Sequence, residues 1–237
     1  MALRLCAWAA ALALSASGIQ SQTVAEGGAV NGASFLPAWA PGGAAAPGSI
    51  LAVFGEDLAA EPAGAVSLPL ADELAGVRVQ IVALDGRVFA AQPLFVSPAQ
   101  VNAVAPSGLA VGEYRLRVVR PGATSNEVRL KVVRASFGLF FRDERGVPVA
   151  AAQAIEPDGP RTVVLDRPAR PGDTVTLWGT GLGAAADPSS VEVHVAGRAV
   201  PHTFAGRSPC CAGVDQIDFE LPADTPLGCV VPVYVVA

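Results

Sequence analysis

Charge is scarce in this chain. Only 16% of its 237 residues are charged against 51% hydrophobic, and 16 basic side chains face 21 acidic ones, a net charge of -5. Without a basic surplus to grip phosphates, neither nucleic acid nor an anionic membrane is an expected partner, and the high apolar content excludes a disordered chain. Chemistry-bearing residues are equally sparse. The two histidines, His194 and His202, fall in different candidate strands, no GxSxG elbow offers an activated serine, and no CxxC spacing suits zinc. The loop Gly179–Gly183 has the glycines of a phosphate loop but not the Lys-Ser/Thr that follows them. No catalytic, cofactor-binding or metal-ligating set is therefore expected.

Glycine and proline are plentiful. The 25 Gly and 20 Pro make up about a fifth of the chain; both interrupt helices, so many short strands joined by tight turns are expected.

The N-terminus reads as an export signal. Arg4 precedes an unbroken apolar run from Leu5 to Leu14, and Ala16-Ser17-Gly18 supplies small residues for cleavage after Gly18. Ten helical residues rise about 15 Å, half the ~30 Å of a bilayer core, so the run suits a signal peptide better than a membrane span. No later stretch reaches 18 apolar residues, so the mature chain is expected outside the cell without a transmembrane segment. Cys210, Cys211 and Cys229 then sit in an oxidising compartment, where a disulfide is the default. The expectation is a bond from Cys229 to Cys210 or Cys211, because adjacent cysteines rarely pair with each other.

An internal repeat organises the rest. PGSILAVFGEDL (47–58) aligns without a gap on PGDTVTLWGTGL (171–182), QVNAVAP (100–106) on QIDFELP (216–222), and VALDGRV (82–88) on HVAGRAV (194–200). Three anchors in the same order predict two homologous units. Within each the period is two: Leu51 and Val53, like Val175 and Leu177, share a core face, and Val77, Val79 and Ile81 alternate likewise. Asp85-Gly86 predicts a type I′ hairpin turn. The expected fold is all-β, two tandem immunoglobulin-like β-sandwiches: a signal peptide at 1–18, a linker at 19–29, and domains at 30–134 and 135–237.

NGASF (31–35), PGSILAVFGEDL, VSPAQVNAVAP (96–106) and SNEVRLKVV (125–133) together resemble an uncharacterised C-terminal domain family of secreted proteins from Solibacter-type acidobacteria. The PGS..VFG..L element is similar to the start of IPT/TIG immunoglobulin-like domains. This resemblance implies an extracellular immunoglobulin-like fold and no established activity.

Two functional expectations follow. One is a noncatalytic module of the cell exterior for adhesion, scaffolding or carbohydrate contact, its partner an extracellular protein or glycan. Phe54 and Trp178, each before a glycine at a strand end and off the core face, are its candidate ligand or interdomain contacts. The other is an extracellular enzyme with a site in the interdomain cleft near 210–220, where Asp215, Asp218 and Glu220 gather; two of these acids alternate along a strand, which favours a wet sheet face over a calcium site. His194 reads as a solvated strand residue. Finally, the strand matching EVRLKVV (127–133) has no counterpart after GCVVPVYVVA (228–237). The second unit is expected to present an open sheet edge, completed by a partner strand or by a missing C-terminal segment.

Overall fold

A computed structural model describes residues 21–184, 187–228 and 230–237. The segment 1–18, expected as a signal peptide, and Cys229 lie outside the described residues. The chain is all-β; among the described residues the one helical element is a single 3-10 turn at Pro188–Ser190, and no helix is long and apolar enough to cross a membrane.

The first half contains β1 (Thr23–Asn31), β2 (Ile50–Glu56), β3 (Ala63–Gly64), β4 (Arg78–Ala83), β5 (Val88–Val96), β6 (Gln100–Val104), β7 (Gly112–Arg120), β8 (Ala123–Thr124) and β9 (Val128–Val132). They form one continuous sheet in the order β1-β2-β6-β5-β4-β7-β8, with β9 also on β7 and β3 on β5. β5 serves both layers: Val88–Ala91 pairs with β4 and Gln92–Val96 with β6, the latter ladder shifting register between Pro93 and Phe95. A proline has no N–H for a ladder, so a strand tolerates it at such an irregularity. Residues 19–29 were expected as a linker, yet from Thr23 onward they are β1, paired on β2 from Thr23↔Glu56 to Asn31↔Leu51. The pair of glycines that read as loop, Gly27 and Gly28, lies within the register shift of that strand.

The second half contains β10 (Gly138–Leu139), β11 (Phe141–Glu144), β12 (Val147–Ala150), β13 (Ala152–Glu156), β14 (Gly159–Thr162), β15 (Thr174–Thr180), β16 (Glu192–Val195), β17 (Arg198–Val200), β18 (His202–Arg207), β19 (Asp215–Glu220) and β20 (Val233–Val236). One layer runs β14-β13-β15-β19-β18 with β10 on β15, the other β17-β16-β20, and β11 and β12 form a separate hairpin.

The repeat reappears as register. Val53 pairs with Val101 and Leu177 with Ile217; Phe54 pairs with Gln100 and Trp178 with Gln216. β17 and β18 divide the role of β5, one on β16 and the other on β19, with Pro201 between them. The aligned glycines Gly55 and Gly179 also share a cause. A Cβ on Gly55 would lie 2.1 Å from the Thr23 carbonyl oxygen, and one on Gly179 would lie 2.3 Å from the Phe137 ring. In each half, a side chain there would collide with the chain entering the sheet.

Each half has its own core, as alternation predicted. Leu51, Val53, Val77, Val79, Ile81, Leu116 and Val118 are buried in the first, and Val175, Leu177, Val193, Ile217 and Phe219 in the second. The hairpin turns differ from expectation. After β4 the loop is three residues, Leu84 to Gly86, with Ala83 N–H donating to the Arg87 carbonyl and Gly86 alone at positive φ, +88°. Two-residue hairpin turns with both φ values positive occur instead at Arg145 (57°) and Gly146 (81°), between β11 and β12, and at Ala196 (51°) and Gly197 (79°), between β16 and β17. In the first hairpin the carboxylate of Asp85 instead accepts from the Arg87 N–H and guanidinium, which holds Asp85 outside the left-handed region.

Candidate functional site

The seam between the halves gathers the buried polar groups. Asn31, fully buried at the end of β1, donates through Nδ2 to the Ser136 carbonyl at 2.8 Å and the Thr180 carbonyl at 3.3 Å. Its Oδ1 accepts from Ala33 N–H at 2.8 Å and Ser34 N–H at 3.2 Å. Thr180, also fully buried, accepts from Ile50 N–H at 2.8 Å and donates to the Gly213 carbonyl at 2.6 Å. A peptide group buried without a partner costs more than a formed bond returns, so these side chains occupy the places where backbone ladders end. Beside them Ile50, Leu70 and Val104 of the first half pack on Phe140, Ala212 and Val214 of the second. The face of β2 opposite its own core is thus dry because the second half covers it.

Asp215 stands next to this seam. Its side chain is fully buried; Oδ2 accepts from Leu182 N–H at 2.7 Å and Oδ1 lies 3.1 Å from Nη1 of Arg207, the residue opposite it in the β18–β19 ladder. That contact is one of charge, outside hydrogen-bond geometry. Burial pushes the Asp215 carboxyl above the usual range, partly offset by Arg207 and by the N–H groups of Leu182 and Gly181. The guanidinium reaches the first half as well: a Cβ on Gly48 would lie 2.7 Å from Nη2 of Arg207.

The other candidates are dispersed. Asp218 accepts from the Thr176 hydroxyl at 2.7 Å and from Gln216 Nε2 at 2.8 Å, while Glu220 is exposed. Asp215 therefore belongs to an ion pair in the interior and not to a wet acidic face with the other two. His194 is not simply solvated: its ring stacks on Tyr234 with centroids 4.6 Å apart and planes 6° from parallel, and Nε2 lies 3.1 Å from Glu192. Among the described residues no group of three or more His, Cys, Asp and Glu is placed to hold a metal ion.

Phe54 and Trp178 occupy equivalent, half-buried positions. Phe54 packs on Phe35, centroids 5.9 Å apart, and Trp178 holds the chain through its backbone, donating to Ala151 and accepting from Phe140. The strongly exposed indole is Trp39, at 85%.

The disulfide differs from the expectation. Cys210 and Cys211 are bonded to each other, with Cα atoms 3.8 Å apart. Ser208 holds the turn from one side, its hydroxyl 3.1 Å from Cys210 Sγ and accepting from Cys210 N–H at 3.4 Å. Spacing alone made the longer loop look favourable and left out the turn that brings neighbouring sulfurs together.

A third feature is the edge of β20. β20 pairs with β16 from Glu192↔Val236 to Val195↔Val233, and among the described residues no second strand pairs with it. Its counterpart β7 has β4 on one side and β9 on the other, from Gly112↔Val132 to Leu116↔Val128. Consequently Tyr114 and Leu116 are buried, whereas Val233 and Val235, at the matching places in the ladder, are only half-buried.

Asn31 and Thr180 escaped sequence reasoning, although Asn31 opens the NGASF motif; an Asn-Gly beside a strand was the available signal. No family model and no curated protein matches the chain. Among solved structures it is similar to a tyrosine-to-glycine mutant of Salmonella alpha-2-macroglobulin, at 15% identity over 81% of this chain and 11% of that one, with a TM-score of 0.20. So low a score carries no argument about fold or function.

Proposed function

We propose that the chain is a noncatalytic module of the cell exterior, built as two tandem immunoglobulin-like sandwiches, whose second sandwich takes an extended strand from a partner polypeptide. The observation that carries this reading is the bare edge of β20 where the homologous β7 holds β9. An unpaired edge offers a row of N–H and C=O groups to another chain, and strand addition is a recurrent mode of protein recognition. The occupant's chemistry is suggested by β9 itself, in which Val128, Leu130 and Val132 are buried and Arg129 and Lys131 exposed. A strand with that alternation would finish the burial of Val233 and Val235, contributing roughly 2 to 4 kcal/mol besides its ladder bonds. β20 carries no charge or proline to repel such a visitor.

The signal-like segment and the resemblance to the secreted acidobacterial family support an extracellular site of action. The engagement of Asp215 with Arg207 and of Asp218 with Thr176 and Gln216 supports a structural role for the 210–220 region over the catalytic one.

The test is titration of the mature chain with the heptapeptide EVRLKVV and with a permuted peptide in which charged and apolar residues no longer alternate. Saturable binding of the first and none of the second is expected. Equal binding of both, or none by either at millimolar concentration, overturns the reading.

A further inference from the structure

The first sandwich is plugged at the end that follows β6. Leu109 and Tyr114 are buried there; the Tyr114 hydroxyl donates to the Ala110 carbonyl at 3.0 Å and its ring meets Phe89 edge-on at 6.2 Å. The second sandwich starts the same segment with the same turn: Leu109 N–H donates to the Pro106 carbonyl, and Thr225 N–H to the Pro222 carbonyl. Pro106 aligns on Pro222, so Thr225 stands where the first half has Leu109. In the ladders Val233, opposite Val195, takes the place of Tyr114, opposite Ala83. Both are smaller than the side chains they replace, and a cavity of about 380 Å³ is left between the layers.

Val175, Leu177, Phe219 and Leu221 line its inner wall, with Val163 and Val231 nearer the rim, and among the described residues no charged side chain contributes to the lining. One polar group does. Thr225 is only 7% exposed, and its Oγ1 is buried without a hydrogen-bond partner. Buried hydroxyls are nearly always satisfied, and an orphan in the wall of a cavity calls for a partner from outside the chain. The volume falls in the ~300 to 1,000 Å³ range of small-molecule sites, which combine an apolar lining with a few polar groups that orient the ligand.

We infer that the second sandwich binds an uncharged, largely hydrocarbon small molecule carrying one hydroxyl or carbonyl oxygen, which pairs with Thr225 Oγ1. The charge-free lining disfavours a carboxylate, whose burial would have no counterion. This site goes beyond strand addition at β20 and does not depend on it.

The experiment is displacement of the fluorescent probe N-phenyl-1-naphthylamine from the mature chain by 1-octanol, n-octane and, at pH 8, octanoate. Octanol should displace the probe, and octanoate should compete at least about tenfold more weakly. Thr225→Val, which keeps the shape and removes the hydroxyl, should weaken octanol about fivefold and leave octane unchanged, the worth of one hydrogen bond. Thr225→Leu with Val233→Tyr restores the plug of the first half; it should abolish binding of every probe while far-UV circular dichroism stays unchanged. No displacement by octanol, octanoate competing as well as octanol, equal loss of octanol and octane in Thr225→Val, or full binding by the plugged variant would each overturn the assignment. The EVRLKVV peptide should not displace the probe, so the two proposals fail separately.

Discussion

Replacing Asn31 with alanine should uncouple the two halves. The side chain makes four hydrogen bonds, and two of its partners, the Ser136 and Thr180 carbonyls, lie 105 and 149 residues away in the second half. In Asn31→Ala the buried Ala33 N–H and the Ser136 carbonyl lose their partners, at ~1 to 3 kcal/mol for each group left unpaired. Taking about 4 kcal/mol in all, and ~2 to 4 °C per kcal/mol for a chain of this size, the melting temperature should fall by roughly 8 to 16 °C. Because the lost bonds join the halves, differential scanning calorimetry should also resolve one cooperative transition into two. Asn102→Ala, on half-buried β6 with a partner only two residues away, is the control and should change stability by under about 0.5 kcal/mol. A single transition shifted no further than the control would refute the idea that Asn31 fastens the seam.

Three further outcomes follow from the same geometry. Because burial raises the Asp215 carboxyl, the folded chain holds that proton more tightly than the unfolded chain; its contribution is fully present below the ordinary aspartate pKa of ~3.9 and is lost as pH rises through the raised value. Asp215→Asn should therefore flatten the stability profile across the mildly acidic range, and an unchanged urea-denaturation profile there would contradict the burial argument. Peptide mapping without reduction should recover Cys210 linked to Cys211, and reduction should cost only about 1 kcal/mol because so short a loop hardly restrains the unfolded chain; a Cys229 crosslink to either residue would contradict this. Gly179→Ala drives a methyl into the Phe137 ring and the Gly138 carbonyl and should cost about 3 kcal/mol, the upper end of overpacking, whereas Gly86→Ala meets open space and should cost less despite its positive φ.

The parts of the fold legible in the sequence were those written in short-range pattern. Alternation placed Leu51, Val53, Val175 and Leu177 on core faces because a strand repeats every two residues, and the repeat located strand pairs because homologous segments keep their register. The open edge came from the same comparison. What could not be read depends on distant partners. Nothing near Asn31 indicates that its amide reaches Ser136, and although alternation sets Asp215 in phase with Ile217 and Phe219, opposite the exposed Glu220, it does not show that Arg207 meets it there. β1 was hidden by the glycines at its register shift, and the turn after β4 by the Arg87 contacts of Asp85. The cavity lay in the replacement of Leu109 and Tyr114 by Thr225 and Val233, of which the repeat alignment contains the first and only the ladders show the second.

The strand-accepting edge is tested most directly by hydrogen exchange at residues 233–236, read against residues 114–118. In an antiparallel edge strand alternate amides point away from the sheet, so in the free chain alternate N–H groups of β20 should exchange rapidly while those of β7, bonded on both sides, stay protected. Adding EVRLKVV should slow the rapid set and leave β7 unchanged. Amides of 233–236 that are all as protected as those of 114–118 in the free chain, or that ignore the peptide, would contradict an open edge built to receive a strand.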